Sequence, residues 1–223
     1  MAHTAMQLLD TIFFVAALIM SVVIHEVAHG HAANMLGDPT ARLSGRLTLN
    51  PLSHIDPMGS IIIPLLLITT NAGFLFGWAK PVPYNPYNLR NQRWGTLLVG
   101  GAGVLANFFL ALVFGLLVRL SGLAPEALLV STFFRGAIIL TGLNLVLGVF
   151  NLIPVPPLDG SKVLFSFLPY RLSHVQNMLE QYWYIFLIPV FFFAGFIIVP
   201  AANAIFFLVT GYSLGLYVLA LPF

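Results

Sequence analysis

Long apolar stretches constrain this chain more than any other feature of its sequence. Runs long enough to cross a bilayer occupy residues 8–36, 95–119, 128–153, 183–199 and 203–221. Charged residues make up only 7% of the chain, whereas they make up about 25% of a typical soluble domain. So little charge does not cover a water-facing surface, and lipid is the expected solvent for most of the fold. The sequence therefore predicts an all-α polytopic membrane protein with about five transmembrane helices.

The segments between these stretches predict turns and irregular backbone. Pro, Gly and Asn are frequent in the connectors, residues 37–57, 77–94 and 154–182. Residues 42–50 alternate loosely between polar and apolar types, which indicates a short strand or hairpin region. A further apolar run, 58–76, is interrupted by Pro64. Because no polar stretch is long enough for a second domain, we expect residues 1–223 to form a single membrane-embedded domain.

Several chemistries are excluded by residues that the chain lacks. It has no cysteine, so thiolate metal sites, disulfides and cysteine nucleophiles are ruled out. The pI near 9.1 comes from a few cations in the connectors. We find no basic run, aromatic-stacking motif or Gly-rich phosphate loop, and therefore predict no nucleic-acid partner.

The first apolar stretch contains the sequence His25-Glu26-Val-Ala-His29. Four residues are a little over one helical turn, so both imidazoles project from one face and reach one ion, while Glu26 reaches a water on that ion. The alternative is a set of polar residues that only face a protein interior. Each ionisable group inside a membrane helix costs about 2.5–3.5 kcal/mol, and a divalent cation compensates such a cluster. The motif therefore favours a metal site with Glu26 as the general base.

A third protein ligand is expected, because a catalytic zinc holds three residues and one water. Glu126 lies in a short connector and Glu180 in a polar stretch, and neither belongs to a recognisable ligand motif. Asp159 follows the fourth stretch directly, after prolines that forbid a regular helix. Irregular backbone at a membrane boundary is tolerated where protein or a wet cavity surrounds it. Asp159 is the better candidate, and a Pro-rich turn that merely ends in Asp-Gly is the alternative.

Four segments together resemble the site-2 protease family of intramembrane metalloproteases (peptidase family M50), in its compact subgroup without PDZ or CBS domains. The resemblance covers nearly the whole chain and is carried by His25-Glu26-Val-Ala-His29, Asn50-Pro51-Leu-Ser-His54-Ile-Asp56-Pro57, residues 77–85 and residues 151–160. One departure is Gly103-Val-Leu-Ala-Asn107, where the family usually has Gly-Pro-x-x-Asn.

This resemblance implies a function and a set of site residues. Zinc would be held by His25, His29 and Asp159, with Glu26 as general base in the hydrolysis of membrane-spanning substrate proteins (regulated intramembrane proteolysis). Asn151 would hydrogen-bond the substrate or the developing oxyanion. The expected partners are transmembrane proteins and the lipid bilayer, and the oligomeric state is left open.

A shared ion also predicts how the chain crosses the bilayer. If Asp159 meets the two histidines, stretches 8–36 and 128–153 end on the same side, so 58–76 makes no net crossing and is re-entrant or half-inserted. Most cations fall on that side, and only Arg119 and Arg135 fall opposite. The positive-inside rule then makes the active-site side cytoplasmic, and we expect a multi-pass protein of the plasma membrane.

Two rival functions use the same residues. A metal-ion transporter would distribute ionisable residues over several spans, and an inactive membrane scaffold would lack a catalytic group.

Four polar residues of the connectors either line a water path to the metal or cap turns, and the second role is favoured: His54, Asp56, Asn85 and Asn88. His31 projects from a different face of its helix than His25 and His29, so it is not an expected metal ligand.

Overall fold

The computed structural model describes residues 2–70, 77–124, 127–128, 131–213 and 215. Helices are the only regular elements within these ranges, in agreement with the predicted all-α class. The α-helices are α1 (Ala2–Met35), α2 (Thr40–Leu43), α3 (Ile63–Thr69), α4 (Gln92–Leu120), α5 (Thr132–Asn151), α6 (Asp159–Phe167), α7 (Ser173–Gln181) and α8 (Trp183–Thr210). Shorter elements are 3-10 helices at Pro51–His54, Pro86–Asn88 and Tyr170–Leu172 and a π-helix at Pro57–Ile62.

Three of these helices, α1, α4 and α5, are long and apolar enough to cross a bilayer. They correspond to the first three predicted spans. Helix α4 packs against both α1 and α5, and small residues on it allow close approach. A Cβ on Gly115, for example, would lie 2.5 Å from Val209 and 3.1 Å from Thr141. The largest buried cluster joins α4, α5 and α8, with Ala111, Val118, Leu128, Ala137, Ile138, Leu145, Ala202 and Phe206.

Within the described residues, the last two predicted spans, 183–199 and 203–221, are not separated from each other, because one helix runs from Trp183 to Thr210. Helix α8 continues through Pro200 and bends by 63° between Trp183–Val190 and Gly195–Thr210, in the segment between its two prolines, Pro189 and Pro200. A proline inside a helix removes one backbone hydrogen bond and crowds the preceding turn, which explains a kink. The described residues therefore contain three long apolar helices, or four if the bent pair counts as one span. The end of the predicted span 203–221 lies outside the described residues.

The beginning of the apolar run 58–76 is hydrogen-bonded to Trp78, which follows the end of that run. The N–H of Trp78 donates to the carbonyl of Gly59 (3.1 Å), and Ser60 Oγ donates to the carbonyl of Trp78 (2.9 Å). Between these points the π-helix and α3 end at Thr69, so their length of about 20 Å is shorter than the hydrocarbon core of about 30 Å. Residues 71–76 lie outside the described part. The joined ends agree with a segment that makes no net crossing.

The predicted strand at 42–50 is wrong. Residues Thr40–Leu43 form the short helix α2, and residues 46–50 are irregular. A strand needs a neighbouring backbone for its ladder, whereas this segment reaches the opposite connector through a side chain. Arg46 Nη2 donates to the carbonyl of Lys80 at 2.8 Å. The alternation of residue types in 42–50 therefore does not correspond to a paired strand.

Candidate metal centre

Helix α1 places His25 and His29 on the face that packs against α4. Both side chains are buried, with 7% and 6% of their surface exposed. The ring centroids lie 4.6 Å apart and the ring planes are nearly perpendicular. This edge-on arrangement brings the two Nε2 atoms to 3.0 Å from each other, as the i, i+4 spacing predicts.

Asp159 is the first residue of α6, and the chain brings it back onto the end of α5. The connection is tight, because a Cβ on Gly160 would lie 2.2 Å from the carbonyl oxygen of Leu152. Only a glycine permits this approach of two backbones. The result is that Asp159 Oδ2 lies 3.0 Å from the Nε2 atoms of both His25 and His29.

These three atoms form a triangle that suits one metal ion. Two nitrogens and one carboxylate oxygen lie 3.0 Å from one another, and all three residues are buried. Zinc bonds to such atoms are about 2.0–2.2 Å long, so the ligands of a tetrahedral site lie roughly 3.3–3.6 Å apart. The observed spacing differs from this by only a few tenths of an ångström.

The protons on the two imidazoles also fit a metal site. His29 Nδ1 lies 2.6 Å from the carbonyl oxygen of Val99, which only accepts, so Nδ1 carries the proton. His25 Nδ1 lies 2.5 Å from Asn107 Oδ1 and donates in the same way. In a neutral imidazole the other nitrogen then presents a lone pair. Both Nε2 atoms and the carboxylate are therefore electron-pair donors that face each other, which is the donor set that a divalent cation stabilises.

Two glycines of α4 form the flat surface behind this triangle. A Cβ on Gly103 would lie 2.5 Å from His29 Nε2 and 2.7 Å from His25 Cε1. A Cβ on Gly100 would lie 2.9 Å from Lys162 Cβ. Side chains at these positions would occupy space that the ligands need, so the glycines are required by close approach.

Lys162 contacts the oxygen of Asp159 that does not face the histidines. Its Nζ donates to Asp159 Oδ1 at 2.8 Å and lies 5.7 Å from the ring centroid of Tyr84. Burial raises the pKa of Asp159, but hydrogen bonds that His25 and His29 donate when a proton rather than a metal lies between the three residues, together with the charge of Lys162, hold that pKa well below its ordinary value. Burial lowers the pKa of Lys162, and Asp159 raises it to above the ordinary value. Both groups are therefore charged at neutral pH, and the carboxylate presents a single oxygen to the histidines.

Glu26 is half-buried beside the triangle and is held by the connector that precedes α4. Its Oε2 accepts a hydrogen bond from the backbone N–H of Val82 at 2.9 Å. Its other oxygen, Oε1, has no hydrogen bond to a described residue. Val82 itself is buried, and a Cβ on Gly30 of α1 would lie 2.7 Å from it. One carboxylate oxygen is thus fixed by the backbone and the other is available for proton transfer.

Comparison with known proteins identifies the family. A protein of Bacillus subtilis named "Putative zinc metalloprotease YwhC" is 37% identical to this chain over 200 residues, which are 86% of this chain and 86% of the relative. The model of Peptidase family M50 matches residues 123–196. The chain belongs to peptidase family M50. Proteins named "Putative zinc metalloprotease Rip2" from Mycolicibacterium smegmatis and Mycobacterium tuberculosis are 29% identical over 196 residues, 88% of this chain and 70% of each relative. No solved structure matches the chain.

Asn151 of this M50 protein has its side-chain hydrogen bond within α5 and not to the three-residue cluster. It is the last residue of α5, it is half-buried, and its Nδ2 donates to the carbonyl of Leu147 at 3.0 Å. This bond uses one of the two N–H groups of the amide. A contact between Asn151 and substrate stays a prediction.

Four connector residues could either line a water path to the metal or cap turns. In this M50 protein all four have turn or loop contacts. Asn85 and Asp56 cap a 3-10 helix and the π-helix. Asn88 Nδ2 donates to Asp38 Oδ1 at 2.9 Å, and His54 Nε2 donates to the carbonyl of Thr48 at 2.9 Å. These contacts agree with the capping alternative. His31 is exposed and is not part of the metal-ligand cluster.

Sequence reasoning missed several residues that contact the ligands. The sequence analysis places Lys162 only among the cations on the active-site side, and Asn107 only within the Gly103–Asn107 motif. Asn144, which contacts Asn107, had not been considered. The signal available in the sequence was an asparagine within each of two apolar stretches, Asn107 in 95–119 and Asn144 in 128–153. A polar side chain inside a membrane costs free energy unless it has a hydrogen-bond partner, so each asparagine indicates such a partner.

Proposed function

We propose that this M50 protein is an intramembrane zinc metalloprotease that hydrolyses peptide bonds of membrane-spanning proteins in regulated intramembrane proteolysis. The proposed zinc ligands are His25 Nε2, His29 Nε2 and Asp159 Oδ2. The observation that carries the proposal is the convergence of these three electron-pair donors, from segments 130 residues apart (His29 to Asp159), within 3.0 Å of one another. The relatives are named as zinc metalloproteases, which supports the same chemistry.

The residues around the triangle supply the remaining roles. Zinc, when bound, would lower the pKa of a water to about 7 and polarise a peptide carbonyl. Glu26 accepts the proton of the attacking water at Oε1 and returns it to the leaving amide nitrogen, while the N–H of Val82 holds Oε2. Lys162 holds Asp159 so that only Oδ2 faces the site. Asn151 donates to the substrate carbonyl through the N–H that is not bonded to Leu147.

The site also implies where the substrate is cut. The ligands lie in the C-terminal part of α1 and just after α5, near one end of the spans. A helical substrate hides its amides in internal hydrogen bonds, so its segment at the metal must unwind before attack. We further propose that this end faces the cytoplasm, in agreement with the excess of cations on it, and that residues 1–223 form a single domain in the plasma membrane.

The burial of polar groups favours a protease over a transporter. Within the described residues, the buried ionisable side chains are His25, His29, Asp38, His54 and Asp159. These belong to the metal cluster or to the connectors beside it. Deeper in the spans, the buried polar side chains are uncharged, such as Ser21, Asn107, Thr141 and Asn144. A fixed ion at one end is therefore favoured over a path of ionisable groups.

The proposal is tested with purified protein in nanodiscs and a set of single-pass transmembrane peptides of varied sequence. Cleavage is read by mass spectrometry, and zinc content is measured on the same samples. Wild type is expected to cleave and to hold one zinc. Glu26→Gln is the matched variant, because its amide oxygen still accepts the Val82 N–H, so it is expected to keep zinc and lose cleavage. Equal cleavage by wild type and Glu26→Gln, or none by zinc-loaded wild type, contradicts the proposal.

A further inference from the structure

A closed set of hydrogen bonds connects three spans directly behind His25. Asn107 on α4 contacts His25 Nδ1 through Oδ1 at 2.5 Å and donates through Nδ2 to Asn144 Oδ1 on α5 at 2.8 Å. Asn144 Nδ2 then donates to Ser21 Oγ at 3.0 Å and to the carbonyl of Leu140 at 2.9 Å. Ser21 and His25 are one turn apart on α1, so the path returns to the helix where it began. We call these residues the amide ladder.

The direction of the ladder is set by a backbone carbonyl. The oxygen of Leu140 only accepts, so the atom of Asn144 beside it must be the NH2 group. Asn144 therefore presents its oxygen to Asn107, and Asn107 must turn its own NH2 group toward that oxygen. The oxygen of Asn107 is then left for His25, whose Nδ1 must donate. Each amide has one orientation that satisfies these partners, because both amides are fully buried.

We propose that Asn144 is a positioning residue for the metal, acting on His25 through Asn107. This inference rests on the proposed zinc site. Without Asn144, the amide of Asn107 is free to turn over and offer its NH2 group to His25 Nδ1. That contact favours the imidazole with its proton on Nε2, which has no electron pair for a metal. The ladder keeps the proton on Nδ1 and leaves Nε2 open toward Asp159.

The first test is the zinc affinity of Asn144→Leu, which removes the amide and keeps an apolar side chain of similar size. Loss of an outer hydrogen bond to a ligating histidine typically weakens metal binding about 10–100-fold, and we expect a loss in that range. Affinity is measured by competition with a chromophoric zinc chelator on detergent-purified protein. The matched control is Thr141→Val, since Thr141 is equally buried one turn away and its Oγ1 bonds only within α5, to the carbonyl of Ala137. Its zinc affinity is expected to equal that of wild type.

The second test is rescue, which a general packing role would not produce. In the double variant Asn144→Leu with Asn107→Asp, an ionised carboxylate accepts from His25 Nδ1 in either orientation. Zinc affinity is expected to recover to within about threefold of wild type, as carboxylate–histidine–zinc triads bind well. A folded double variant as weak as Asn144→Leu overturns the inference.

A spectroscopic readout decides the question even if the double variant does not fold. In the cobalt-substituted protein, each ligating imidazole is expected to give one strongly shifted proton signal from its Nδ1–H. Wild type and Thr141→Val should show both signals unchanged, and Asn144→Leu should displace one of them. Equal zinc affinity and equal signals in wild type and Asn144→Leu overturn the inference alone, whereas a wild type that binds no metal overturns the proposed function.

Discussion

Gly103 is the position where a single methyl group is expected to abolish metal binding without unfolding the protein. A Cβ there would lie 2.5 Å from His29 Nε2 and 2.6 Å from His29 Cε1, whereas ordinary contacts begin at 3.4 Å. His29 cannot turn away, because its Nδ1 is held by the carbonyl of Val99. The imidazole must therefore move by about 0.9 Å, while metal–ligand distances tolerate only about 0.2 Å.

We expect Gly103→Ala to weaken zinc binding by more than about 100-fold, beyond the effect of a changed outer contact. The helix itself should not suffer, because alanine is favoured over glycine within helices by up to about 1 kcal/mol. Gly101→Ala is the matched control, since a Cβ at Gly101 has no atom within 4 Å. The assay is chelator competition beside thermal unfolding. If Gly103→Ala binds zinc as tightly as Gly101→Ala, the close packing of α4 on the ligands is refuted.

Three further predictions concern residues around the centre. Lys162→Met is expected to lower zinc affinity about 10-fold, while Lys162→Arg keeps most of it, because the cation holds Asp159 Oδ1. Gly160→Ala is expected to destabilise the fold by about 1–3 kcal/mol, since its Cβ would lie 2.2 Å from the backbone oxygen of Leu152, which cannot rotate away. Burial raises the pKa of Asp38, but the hydrogen bonds that it accepts hold that pKa below its ordinary value. Stability from Asp38 is therefore present above the unfolded-state pKa and lost as the pH falls through the lowered one, and Asp38→Asn should remove this loss.

Each of these predictions has a contradicting outcome. Equal zinc affinity in the Met and Arg variants of Lys162 would show that its charge does not act on the site. A thermal midpoint of Gly160→Ala equal to that of wild type would mean that the two backbones are not in contact. For Asp38, thermal unfolding is compared at neutral and acidic pH, and parallel pH profiles for wild type and Asp38→Asn would rule out its contribution.

The sequence alone predicted the features that follow from the free-energy cost of polar residues in a membrane and from the spacing of residues along a helix. Helices α1, α4 and α5 follow from apolar length, and the i, i+4 spacing of His25 and His29 brings two rings to one point. The return of 58–76 to its starting place was predicted from the requirement that Asp159 reach the histidines. The contact between Gly59 and Trp78 agrees with it.

Other features depend on contacts that sequence does not specify. The apolar stretches 183–199 and 203–221 predict two spans, but α8 continues through Pro200 between them, because a single lost hydrogen bond does not end a long apolar helix in lipid. Residues 46–50 have an extended pattern without a pairing partner. The amide ladder was missed because its partners depend on how α1, α4 and α5 rotate against each other. The free-energy cost of burying Asn107 and Asn144 indicates that each side chain has a hydrogen-bond partner, but it does not identify that partner.

X-ray absorption at the zinc edge tests the central claim most directly, because it reports the atoms bound to the metal in the purified protein. We predict one zinc per chain with two imidazole nitrogens and oxygen ligands at about 2.0–2.2 Å. Asp159→Ala should lose the metal or one oxygen ligand, and His25→Ala one imidazole. A wild-type spectrum without two imidazoles, or full zinc content with an unchanged spectrum in Asp159→Ala, would contradict a shared ion between α1 and α6.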